Sequence, residues 1–102
     1  MAAFLFEFEW DPTKAKSNRN KHGVSFGQAA TVFHDPNQLS VPDDEHSDLE
    51  DRWATMGIDS IGKLLVVVHT FHDATDGNVK IRIISARKAT RQEIDYYTER
   101  KG

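Results

Sequence analysis

The chain has 102 residues, enough for one domain over residues 1–102 with one core. Hydrophobic residues make up 38% and charged residues 28%, which favours a folded globular domain over disorder. The net charge of -3 argues against a general nucleic-acid binder, and the lack of cysteine excludes disulfides and thiolate metal sites.

The charge is unevenly placed. From Pro12 to His34 there are four basic residues and no acidic one, whereas six of the nine residues from Asp43 to Asp51 are acidic. Such polarity suits a cationic cleft on an anionic body. The longest apolar run, Leu64–Val68, is too short to span a bilayer. No basic stretch precedes an apolar one at the N-terminus, so a cytoplasmic protein without membrane contact is expected.

In chain order, Phe4, Phe6, Phe8 and Trp10 alternate with Leu5, Glu7 and Glu9, which predicts a strand with its aromatic face inward. Asp11-Pro12 predicts an N-cap and first helical residue, and Gly23 a stop, for a polar helix from Pro12 to about His22. Ser25 caps a second helix, Phe26 to Phe33. A short strand is expected at Leu39–Val41, and a longer one from Glu50 to Ile58 on which Glu50 and Arg52 share a face. The apolar Lys63–Phe71 suits the centre of a sheet. Asp76-Gly77 then turns the chain into Val79–Ala86. Thr90 and Glu93 fit a capping box for a last helix, Arg91 to about Lys101. The fold class expected is α+β: a mainly antiparallel sheet with two N-terminal helices and one C-terminal helix on one face, the other face being open to a ligand.

Chemistry-bearing residues recur outside what this fold needs. Between Lys80 and Arg91 there are five basic residues and no acid. Metal-free RNA cleavage needs a base for the 2'-hydroxyl, cations for the transition state, and an acid for the leaving oxygen. Glu50 or a histidine can be the base. Lys21, Arg52, Arg82 and Arg87 can clamp phosphate, and His22 can be the acid, since imidazole is suited to proton transfer near neutral pH. Ser85, Lys88, His69 and His72 are further candidates for RNA contact. Simple alternation opposes Ser85 to Arg82 and keeps Arg82 and Arg87 from sharing a cleft, unless a bulge intervenes. His69 lies within an apolar strand, where a core histidine is the plainer expectation. His69, His72, Asp73 and Asp76 are close in sequence but match no zinc signature, so neither metal nor cofactor is expected.

These residues fall in segments that resemble a known family. F-E-W-D-P at Phe8–Pro12, N-R-N-K-H-G-V-S-F at Asn18–Phe26, E-x-R at Glu50–Arg52 and R-I-I-S-A-R-K-A at Arg82–Ala89 are similar to BrnT-type ribonuclease toxins of type II toxin–antitoxin systems. The resemblance implies a RelE-like fold and an endoribonuclease that inhibits translation and growth. It also implies a BrnA-like antitoxin with a DNA-binding domain, in a heterotetramer that binds operator DNA. Lys21, His22, Glu50, Arg52, Arg82, Ser85 and Arg87 fall on the family's motifs. One departure is the hairpin after V-V-x-T, where many members carry an arginine and this chain has His72 and an acidic loop. The alternative from another class is a non-catalytic interaction module that docks a partner protein and co-regulates transcription.

Overall fold

The computed structural model describes residues 6–44, 50–73 and 77–101. Phe4, Leu5, most of the acidic Asp43–Asp51 run and Asp76 of the expected hairpin lie outside these residues. Five strands form one sheet in the order β1-β5-β4-β3-β2, with β1 at Phe6–Glu9, β2 at Leu39–Pro42, β3 at Trp53–Ile58, β4 at Leu64–Asp73 and β5 at Val79–Lys88. The pairings β2–β3, β3–β4 and β4–β5 are antiparallel, but β1 lies parallel to β5. The sheet is therefore mixed, which corrects the expectation of a mainly antiparallel one. It joins segments some 70 residues apart, a pairing that alternation within either strand does not encode.

Helix α1 runs from Pro12 to His22. Asp11 caps it by accepting the Thr13 N–H, and Gly23, at φ 71°, closes it in the left-handed region. The helix has almost no apolar face, and a polar clamp holds it instead. Asn18, the one buried residue of α1, donates to the carbonyls of Val24 (3.0 Å) and Ala86 (2.8 Å) and accepts the Ala86 N–H (3.0 Å). Its amide thus acts as a missing strand on the stretch of β5 that short β1 does not reach.

The second helix is shorter than expected. α2 spans Phe26–Ala30, then the chain tightens into a 3-10 turn over Thr31–His34. Thr31 Oγ1 donates to the Gln28 carbonyl and accepts the Ser60 N–H, tying this turn to the β3–β4 hairpin. Phe26, Ala29, Val32 and Phe33 bury against Leu65, Val67, Ile81, Ile83 and Ala86 on one sheet face. The aromatic face of β1 packs here too, Phe8 lying 5.5 Å from Phe33 between ring centroids.

Helix α3, Arg91–Lys101, is on the opposite face. Tyr97 covers Met56 and Val66 there and donates to Asp35. Helices therefore flank both faces, not one as expected, and α3 masks only the Met56–Val66 end of its side.

Candidate functional site

A β-bulge decides which side chains share the uncovered face. Val68 pairs with Ser85 but His69 pairs with Ile83, so Ile84 is the extra residue of β5. Directly paired residues project to the same side. Thus Lys80 (opposite His72), Arg82 (opposite Thr70), Ser85 (opposite Val68) and Arg87 (opposite Val66) all occupy the face that α3 half covers. Simple alternation would have split this set; the inserted residue reunites it.

The register also identifies the neighbours of these groups. On β1, Glu7 is level with Lys80 and Glu9 with Arg82, giving the basic row an acidic border. On the other side, β3 begins at Trp53, opposite His69. Carrying that register on by one residue brings Arg52 level with Thr70. Arg52 is half-buried, with its Nε out of solvent, whereas Glu50 is exposed at a bend. The expected strand from Glu50 is therefore corrected: Glu50 and Arg52 precede β3. Thr70 is fully buried between these rows, and its Oγ1 has no hydrogen-bond partner among the described residues.

Ser85 links the face to α1. It lines a cleft of about 190 Å³ with Lys14, Asn18, Lys21, His22 and Ile84. Lys21 and His22 form the last turn of α1, and the Asn18 clamp fixes that turn against β5. An imidazole, an ammonium and a hydroxyl therefore meet at the edge of the arginine-bearing face.

Three expected site residues are placed otherwise. His69 is fully buried on the opposite face, wedged between Phe33 (4.9 Å) and Phe71 (4.6 Å), both edge-on. Its Nε2 meets Thr55 Oγ1 at 2.6 Å, and burial pushes its pKa down to about 4. It is a neutral core group without access to RNA. Arg87 is on the right face but makes a bidentate pair with Glu93, at 2.7 and 3.0 Å. That hydrogen bonding raises the Arg87 pKa and helps to hold the Glu93 carboxyl down to about 2, so the guanidinium is already matched. Lys88 pairs with Leu65, which faces the α1–α2 side, and lines a cavity there away from Arg82. His72 remains exposed at the Lys80 end of the face.

Glu9, Thr70 and the clamp role of Asn18 lie outside the set of residues expected from the sequence. Asn18 had one legible signal, a lone amide on the Ala15–His22 stripe of a helix with no apolar face. Glu9 and Thr70 are assigned only by strand register.

A family model described as the ribonuclease toxin BrnT of type II toxin–antitoxin systems matches residues 10–93. The crystal structure of the Brucella abortus ribonuclease toxin BrnT has a similar fold, with a TM-score of 0.59 and 18% sequence identity over 85% of this chain and 99% of that one. No curated protein matches the sequence. The span matched by the family model contains α1 and its cleft, strands β2 to β5 and the entry to α3. This chain belongs to the BrnT family of ribonuclease toxins of type II toxin–antitoxin systems.

Proposed function

We propose that the uncovered sheet face and the end of α1 together hold an RNA backbone and cut it by attack of the 2'-hydroxyl, without a metal ion. The observation that carries this reading is the bulge at Ile84. It sets Arg82 and Ser85 on one face, while Ser85 shares its cleft with Lys21 and His22. Arg82 and Arg52 stabilise the charge gathering on the phosphorus-bound oxygens, and Lys21 holds the neighbouring phosphate. His22, on the α1 side, protonates the leaving 5'-oxygen. Glu50, on the β3 side, takes the 2'-hydroxyl proton. Fixed guanidinium and ammonium groups offer the transition state the positive charge that a metal would otherwise supply.

In this reading the protein acts in the cytoplasm, where RNA cleavage inhibits translation and growth. A BrnA-like antitoxin with a DNA-binding domain covers the cationic face, and a heterotetramer of the two binds operator DNA. The test is purified protein on end-labelled RNA with excess EDTA. The expected products carry 2',3'-cyclic or 3'-phosphate ends and a 5'-hydroxyl. Cleavage that EDTA abolishes, or products with a 3'-hydroxyl, would overturn the chemistry.

A further inference from the structure

Helix α1 carries four cations and no acid, and only Lys14 and Lys21 line the cleft beside His22. The other two, Lys16 and Arg19, line cavities on its other flank. Arg19 joins Lys63 of the β3–β4 hairpin and Lys88 of β5 around a cavity of about 200 Å³. All three cations are exposed, and none is ion-paired with a described carboxylate. Asp59 also lines this cavity, but its Oδ1 accepts the N–H groups of Ile61 and Lys63, directing it at the hairpin turn. Next to it, sharing Arg19 and Ser25, is a cavity of about 290 Å³ lined by Trp10 and Lys16. The Trp10 ring is anchored edge-on against Phe26, 6.0 Å away, and remains 37% exposed.

An indole platform beside a cationic groove is the chemistry that holds single-stranded nucleic acid: bases stack on the ring and phosphates follow the cations. We propose that this flank of α1 is an RNA exosite. Trp10 stacks a base, and Arg19, Lys63 and Lys88 take backbone phosphates of a strand whose cleavage occurs on the other side of the helix. An acidic protein partner would use the cations but has no need of the exposed indole face, so single-stranded RNA is the occupant that both features favour. The inference rests on the RNA-cleavage reading and adds where the rest of a long substrate lies.

The experiment measures binding and cleavage separately. Binding uses fluorescence anisotropy of a labelled 20-nucleotide single-stranded RNA with 2'-O-methyl groups, which blocks 2'-hydroxyl attack. Cleavage uses a trinucleotide and an unmodified 20-mer. The exposed side chains Arg19 and Lys63 are changed together to Gln, and Trp10 to Leu in a second variant. The Arg19→Gln/Lys63→Gln pair is expected to weaken 20-mer binding at least tenfold and to lower the salt slope by about 1.4, at roughly 0.7 per phosphate contact. Trp10→Leu is expected to weaken binding roughly tenfold. Trinucleotide cleavage is expected to stay unchanged in both. Unchanged 20-mer binding in the Gln variant, or loss of trinucleotide and 20-mer cleavage in equal measure, would overturn the exosite. If the parent binds the 20-mer, loses that binding in the variants, and cuts neither substrate, the exosite stands and the cleavage reading fails. A parent that does not bind the 20-mer overturns the exosite outright.

Discussion

Lowering the pH should destabilise this fold through one residue, His69. Its Nδ1 is 3.4 Å from the Thr70 carbonyl and its Nε2 2.6 Å from Thr55 Oγ1, and Thr55 Oγ1 is 2.6 Å from Ser40 Oγ. If Nδ1 carries the proton towards Thr70, Nε2 accepts from Thr55, a pattern that needs a neutral ring. Burial between Phe33 and Phe71 lowers the pKa from 6.5 to about 4. The unfolded chain therefore binds the proton more readily than the folded one. The contribution of neutral His69 is intact above pH 6.5 and is lost as pH falls from 6.5 towards 4. The shift corresponds to about 3 kcal/mol in full, of which about 2 kcal/mol disappears between pH 7 and pH 5. For a small domain stable by roughly 5–15 kcal/mol, that loss is large. Glu93, held at about 2, stays ionised across this window and adds little. Urea unfolding at pH 7, 6 and 5 measures the effect in the parent and in His69→Gln, whose amide can still bond Thr55 but does not titrate. The variant should lose about 2 kcal/mol less than the parent between pH 7 and pH 5. Equal losses in the two proteins would refute the argument.

Further perturbations test other parts of the structure. Gly57→Ala should destabilise by about 1–3 kcal/mol in the same unfolding assay. Its Cβ would stand 2.8 Å from Val32 Cγ1 and 3.3 Å from Asp35 Oδ2, in a place with no slack. Asn18→Ala should cost about 2–4 kcal/mol, because it strips partners from the Ala86 N–H and carbonyl at a buried edge. Hydrogen exchange at Ala86 should accelerate with it. Glu93→Gln should lower stability by about 1 kcal/mol through the weakened capping box, yet tighten RNA binding several-fold by releasing Arg87. A filter-binding titration reads the second effect.

Much of the architecture was legible because it is written in local chemistry. Asp11-Pro12, Gly23 and the Thr90–Glu93 pair fix helix ends through bonds between near neighbours, and the structure forms each of them. The aromatic face of β1 turns inward only in part: Phe8 is half-buried against Phe33, whereas Phe6 touches the same ring but stays exposed, as does Trp10 just beyond the strand. What stayed hidden depends on register between distant strands. The parallel β1–β5 pairing places Glu9 beside Arg82, and nothing near either residue encodes it. The Ile84 bulge reverses which residues share a face with Arg82, and a β-branched residue in a strand gives no warning of it. Lys21, His22 and Ser85 are separate signals in the sequence, and the fold brings them to one cleft. The imidazole of His69 suggests RNA contact, yet its place on the apolar Leu65–Val67 face points to the core, where the structure puts it.

Cleavage by this mechanism requires RNA to lie across the bulge-aligned face and the end of α1. Backbone amide shifts of isotope-labelled protein, titrated with a 2'-O-methyl trinucleotide, map that contact directly. The largest changes should fall on Lys21, His22, Arg82 and Ser85, with smaller ones at Arg52 and Thr70. Changes confined to β2 and the outer side of α3, with Arg82 and Ser85 unmoved, would show that RNA is held elsewhere.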